Sequence, residues 1–323
     1  MRLIDMHCDT IWKLEQVERG SDGESPQCES LYHNTGMLDI AGMKEAGTIV
    51  QFFANFIYMD WYGHDWDKGY DGALHMMARA KAEIEAAKAD MQLLTSYERG
   101  ESGQKIGAFL TIEEGGILNG EMERLQHLYE QGIRLLTLTW NDENCIGFPA
   151  SDTPELMNKG LKLFGIEAIE EMNRLGMIVD VSHLSDGGFW DVIGHSRKPI
   201  AASHSNTRAL CNVRRNLTDD MLRALGENGG VAGVNFFPLF VQKEGTCTAK
   251  AIAAHVLHMI QIGGENLPVV GTDFDGYDIG ESEINHVCQM DLFYDALKKA
   301  GLSNSQIEKV CYKNAENLMR ENL

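Results

Sequence analysis

Eight short apolar runs, rich in β-branched residues, alternate with longer stretches of helical periodicity. This alternation confines the chain to folds built on a parallel sheet. The runs span residues 3–7, 48–57, 106–112, 134–139, 177–182, 199–203, 230–236 and 267–271. Helical stretches at 73–96, 121–131, 154–175, 186–194, 218–228 and 250–263 separate most of them. Strands that are apolar on both faces and joined by helical crossovers must be covered on both sides. Eight such units predict a closed (β/α)₈ TIM barrel in the α/β class, rather than an open doubly wound sheet. No G-x-G-x-x-G follows the first run to support a dinucleotide fold. A length of 323 residues and 44% hydrophobic content suit one barrel domain over 1–323. Residues 9–45 are expected to form a long connection of weak helical character over the barrel mouth. Stretches 290–300 and 303–322 are expected as closing helices.

Charge narrows the partners. The formal net charge is −20, which argues against nucleic acid, whose binding needs cations that displace counterions from phosphates. It argues equally against an anionic membrane surface. A small-molecule substrate is the expectation, and a homodimer is compatible with the sequence. Seven cysteines, Cys8, Cys28, Cys145, Cys211, Cys247, Cys288 and Cys311, form no C-x-x-C pair. An odd number without a spacing pattern suits reduced thiols and a cytoplasmic location. No signal peptide or membrane span is legible.

In a (β/α)₈ barrel the chemistry sits where the strands finish, so the polar residues there matter most. The first run ends in His7-Cys8-Asp9; in extended backbone the imidazole and the carboxylate face one way and Cys8 the other. The third ends in Glu113-Glu114-Gly115-Gly116. Only one of the two glutamates can share the inward face, where its two oxygens could bridge two cations. Glu114 is assigned that place, and Glu113 is expected to face outward. The fifth run leads to Asp180 and His183, the sixth to His204. Two histidines on consecutive strands, opposite an H-x-D and a glutamate, point to metal. Asp180 is expected to face outward, as a ligand's partner or as a structural hydrogen-bonding group. The last run ends in Gly271-Thr272-Asp273-Phe274-Asp275. Asp273 could bind metal or accept a proton, whereas Asp275 reads as a loop organiser. The other eight histidines, His255 and His258 among them, are expected at surface or packing positions.

These motifs together resemble the membrane (renal) dipeptidase family of the amidohydrolase superfamily. The likeness rests on D-M-H-C-D-T at 5–10, I-E-E-G-G at 112–116, L-T-L-T at 136–139, D-V-S-H at 180–183, S-H-S at 203–205, R-R-N at 214–216 and G-T-D-F-D-G at 271–276. It covers nearly the whole chain. The resemblance implies two divalent metal ions, usually Zn²⁺. His7 and Asp9 would bind one, His183 and His204 the other, with Glu114 bridging. It further implies that Arg215 holds the free C-terminal carboxylate of a dipeptide and that a D-residue is tolerated there. Where vertebrate relatives carry an oxyanion-stabilising histidine after L-T-L-T, this chain has Trp140 followed by Asn141; both are taken as substrate-binding positions. The secretion signal and lipid anchor of those relatives are not seen, in keeping with a cytoplasmic form.

The expected reaction is dipeptide hydrolysis by a hydroxide bridging two metals, with Asp273 as general base and then acid. Manganese or cobalt could occupy the same ligands. Two other classes stay open: hydrolysis of a non-peptide amide, lactone or phosphoester, and a barrel that binds without catalysing.

Overall fold

The computed structural model describes residues 1–20, 29–97, 105–278 and 282–323; Cys28 lies outside them. Nine parallel strands form the sheet: β1 (Leu3–Cys8), β2 (Thr48–Phe56), β3 (Met91–Leu93), β4 (Ile106–Glu113), β5 (Ile133–Thr137), β6 (Ile178–Asp180), β7 (Ala201–Ala202), β8 (Val231–Val234) and β9 (Pro268–Val270). Eight of them close a ring, β1-β2-β4-β5-β6-β7-β8-β9, with β9 returning to pair with β1. Helices surround it, so the chain is a (β/α)₈ barrel. The extra strand, β3, pairs with the first residues of β4, Ile106 to Ala108. β5 takes over along the same strand from Leu110 onward.

Two corrections concern element boundaries. The helix expected over 73–96 runs over Trp66–Ala86 and then gives way to β3. The stretch at 9–45 contains two real helices, Thr10–Gly20 and Ile40–Ala46. The first buries Ile11 and Leu14. The second is capped by Asp39, whose side chain accepts from the Gly42 N–H at 2.6 Å.

Strand parity decides which side chains reach the barrel interior. The interior cluster contains Ile4, Met6, Phe52, Phe109, Leu135, Ile178, Ala201, Val231 and Val269, closed below by Ala315, Leu318 and Met319 of the helix Asn314–Asn322. The alternate positions, Leu110, Ile112, Leu136, Val179, Ala202 and Val270, pack outward with the helices. Moving up by twos from the interior set reaches Glu113 on β4, Thr137 on β5 and Asp180 on β6. β1 departs from this rule. Asp5 pairs with Gln51 and Cys8 with Phe53, so β1 carries one extra residue there. Such a bulge re-aims the chain: Met6 is interior, Cys8 joins the outer core, and His7 is delivered to the mouth.

Candidate metal centre

Six side chains from five strand ends meet at the C-terminal mouth. The His7 Nε2 lies 3.2 Å from Asp9 Oδ2, 3.4 Å from Glu113 Oε2 and 3.7 Å from Asp273 Oδ1. On the other side of Glu113, its Oε1 is 3.0 Å from His183 Nε2 and 3.6 Å from His204 Nε2. The two imidazole nitrogens are 3.0 Å apart. Potential ligand atoms therefore fall into overlapping groups: His7, Asp9 and Glu113; Glu113, His183 and His204; and His7, His204 and Asp273, each with its atoms within 4.8 Å. Glu113 belongs to two of the three, with one oxygen turned to each.

The placement of the glutamates corrects the sequence assignment. Glu113, not Glu114, converges with His7, Asp9, His183 and His204. The cause is the parity of β4: Phe109, Thr111 and Glu113 share the inward face. The strand ends at Glu113, and Glu114 turns away with φ 107°. Its buried carboxylate accepts from the Gly116 N–H (2.8 Å), the Asn144 Nδ2–H (2.7 Å) and the Trp140 N–H (3.1 Å). Burial lifts its pKa to about 7 against those donors. Asp180 is also corrected, since it points inward rather than outward. It accepts from Thr137 Oγ1 (2.7 Å), Ser203 Oγ (2.6 Å) and the Ser182 and Ser203 N–H groups.

The surrounding groups set orientation and protonation. Ser203 Oγ donates to Asp180 and lies 2.8 Å from His204 Nδ1. With its hydrogen committed to Asp180, it accepts from Nδ1–H, which leaves the His204 Nε2 lone pair facing Glu113. Burial lowers the pKa of His183 to about 4 and pushes that of His204 well below the usual range. Both rings are neutral and able to donate to a cation. Burial also opposes a charge on His7, but the Asp9 and Glu113 carboxylates outweigh it and raise its pKa. Asp9 is pushed well up by burial and by Glu113. Asp273 rises to about 6 through burial, against the pull of His7.

Among the described residues, His7 Nδ1, Asp9 Oδ1 and His183 Nδ1 are buried without a partner. Three carboxylates converging on three imidazoles, two of them held neutral, with a buried Asp9 oxygen left unpaired, fit a divalent cation site. The rim is conformationally strained as well: Glu114, His183, Asp273 and Asp275 all have positive φ. At Gly276 any side chain would run into the Asp9 and Asp273 oxygens.

Asn235, just past β8, was not picked out in the sequence. Its Nδ2 donates to Asp273 Oδ2 at 2.8 Å and to the His204 carbonyl at 3.2 Å. A polar residue closing an otherwise apolar strand was the available signal. Asp275, expected to organise its own loop, instead ties that loop to distant segments, accepting from Thr10 Oγ1 (2.6 Å) and the Met37 N–H (2.7 Å).

The cluster forms the floor of a cavity of about 710 Å³, lined also by Trp140, Asn141 and Arg215. The guanidinium of Arg215 is buried. Its Nη1 donates weakly to Ser205 Oγ at 3.4 Å, while Nε and Nη2 have no partner among the described residues. Burial lowers its pKa to about 10, opposed by Asp273 and Glu113.

A sequence model of the membrane dipeptidase family, peptidase family M19, matches residues 1–322. The chain belongs to that family. An uncharacterised dipeptidase of Schizosaccharomyces pombe is 31% identical over 95% of this chain and 77% of its own length. Among solved structures, dipeptidase AC, a metallopeptidase of family M19, superposes with a TM-score of 0.86 at 25% identity, covering 100% of this chain and 98% of its own. A metallopeptidase from Rhodobacter sphaeroides, solved with a phosphinate mimic of L-Ala-D-Ala, has a TM-score of 0.85 at 24% identity. It covers 100% of this chain and 99% of its own. This M19 chain is a metal-dependent dipeptidase. Among its described residues no helix is long and apolar enough to cross a membrane.

Proposed function

We propose that this M19 enzyme, acting as one barrel unit, cleaves dipeptides with a free C-terminal carboxylate, including those ending in a D-residue. Two divalent cations, preferably Zn²⁺, would serve it. His7 and Asp9 would hold one and His183 and His204 the other, with Glu113 between them. When bound, such a pair supplies a hydroxide at neutral pH and polarises the scissile carbonyl. The observation that carries the proposal is the buried, half-unpaired guanidinium of Arg215 in the same cavity as the shared Glu113. An unpaired buried cation calls for an anion, and a planar guanidinium suits a carboxylate.

The residues divide the work. Arg215 fixes the carboxylate end and so limits substrates to short peptides. Asp273 faces the cluster through Oδ1, while Asn235 steadies its Oδ2. From there it takes a proton from the attacking water and returns it to the leaving amine. Trp140 and Asn141 also line the cavity, where they would contact the substrate.

The test is a panel of L,L- and L,D-dipeptides and their C-terminal amides, each with and without chelator. Free acids should turn over, with both stereochemistries accepted at the C-terminal end. The amides should lose at least about a hundredfold in kcat/KM, as expected when a buried charged group is left unpaired. Equal cleavage of amides and acids would remove the role given to Arg215. An L,D-dipeptide that resists cleavage would remove the stereochemical claim alone.

A further inference from the structure

Part of the cavity wall is made of five aromatic rings that touch in a closed cycle. Trp12 stacks on Trp61 at 5.7 Å, and Trp61 meets Tyr58 edge-on at 6.0 Å. Tyr58 meets Trp140 at 5.9 Å, Trp140 meets Phe56 at 4.8 Å, and Phe56 meets Trp12 at 5.4 Å. All five line the cavity. They come from different connections: Trp12 from the helix after β1, Phe56 from the end of β2, Tyr58 and Trp61 from the turn beyond it, and Trp140 from the loop after β5. The Tyr58 hydroxyl is engaged by Asp60 at 2.7 Å, so apart from the buried Trp12 indole N–H, unpaired among the described residues, the wall offers mainly carbon. Trp140 is tied down by its backbone N–H, which donates to the buried Glu114 carboxylate, and Glu114 itself sits at a backbone angle of φ 107°.

Ring topology places this wall relative to the substrate. In the order β1-β2-β4-β5-β6-β7-β8-β9, β2 stands four strands from β7 in either direction. Phe56 ends β2, and Arg215 lies in the segment between β7 and β8. A dipeptide anchored by its carboxylate above β7, with its peptide bond over the cluster, directs its N-terminal residue toward β2. We infer that the five-ring wall selects dipeptides whose N-terminal residue is aromatic or large and apolar, and that Glu114 is a positioning residue for that wall. This rests on the carboxylate role proposed for Arg215. Aromatic pairs gain beyond simple burial when they meet edge-to-face or offset. A missing group of methylene size in an apolar pocket already costs about tenfold or more in kcat/KM.

The experiment compares the zinc-loaded enzyme on L-Phe-D-Ala, L-Leu-D-Ala, L-Lys-D-Ala and Gly-D-Ala, together with their L,L counterparts and Gly-D-Phe. The Phe and Leu substrates should exceed Gly-D-Ala by at least about tenfold in kcat/KM, while Gly-D-Phe should show no such gain. Trp61→Ala should reduce the Phe-to-Gly ratio through KM. Glu114→Gly should reduce the same ratio with bound zinc unchanged. Equal turnover of Phe and Gly substrates, or a preference for Lys as in an aromatic cation cage, would overturn this inference and leave the dipeptidase proposal standing. Failure to cleave any of these dipeptides would overturn both.

Discussion

The two ends of the barrel spend the same strands in opposite ways. At the base, Met6, Phe52, Phe109, Ile178 and Val269 fill the interior and Leu318 and Met319 seal it as an apolar layer. At the mouth the strand ends deliver His7, Asp9, Glu113, His183, His204 and Asp273, buried, like-charged in part, and with His7 Nδ1, Asp9 Oδ1 and His183 Nδ1 unpaired among the described residues. A few residues of rise separate a layer that stabilises the fold from one that costs it stability. The mouth is held by the base and is completed only by what it binds.

The largest test of that contrast is Glu113→Gln. A neutral amide in the shared position should lower bound metal and reduce kcat by more than the ten- to a hundredfold expected for an outer partner. Glu114→Gln, one residue on, should keep its metal by elemental analysis. The reverse result would return the bridging role to Glu114. Next, chelation should destabilise the mouth but not the base. Metal at a thousandfold excess over Kd stabilises by ~4 kcal/mol, or about 6 °C of Tm in a chain of this length. Leu318→Ala should lower Tm by a similar amount, consistent with a cost of ~2–5 kcal/mol, yet leave kcat intact and leave the response to chelator unchanged. A chelator effect absent by calorimetry would break the comparison. Smaller still, Ser203→Ala removes the hydroxyl between Asp180 and His204 and should weaken metal affinity by ~10–100-fold. Titration with a metal indicator would show it.

The least effect concerns a histidine that is fully paired. His255 Nδ1 accepts from the Thr207 N–H (3.2 Å), and its Nε2 donates to the Val241 carbonyl (2.9 Å). Burial, opposed by the Val241 carbonyl, lowers its pKa. The unfolded chain takes up a proton below about pH 6.5 that the folded chain refuses. Stability contributed by His255 is therefore present above that pH and lost as pH falls toward the depressed folded value. The Tm advantage of wild type over His255→Gln should narrow between pH 7.5 and 5.5, by no more than ~2 °C. A widening gap would contradict the neutral assignment.

How much of this was legible varies with the physics. The barrel was, because strands buried on both faces and helices between them leave a long-range compositional trace. That same two-sided burial hides parity: Phe109, Leu110, Thr111 and Ile112 carry no alternation that says which faces inward. The choice between Glu113 and Glu114, and the direction of Asp180, therefore could not be read locally. β3 was lost because its three residues follow a helix without a break in hydrophobicity. The helix Thr10–Gly20 starts directly after Asp9, with no separate turn to announce it. The grouping of His7, Asp9, His183, His204 and Asp273 was foreseeable because strand ends in a closed barrel have only one place to meet. Asn235 was not, since its role is to hold Asp273 across a seam that exists only in three dimensions.

A second seam, where the first strand meets the last, is stitched by Thr272 donating to Asp5 (2.9 Å from its N–H, 2.7 Å from its hydroxyl) and by the Asp9 backbone N–H donating to the Phe274 carbonyl at 2.8 Å. Residues more than 260 positions apart must be joined before His7 and Asp9 face Asp273. A growing chain still on the ribosome, or one cut short of β9, has its first ligands but not the group that completes them. Pairing of the first strand with the last is therefore the step that brings the donors of both chain ends to one place.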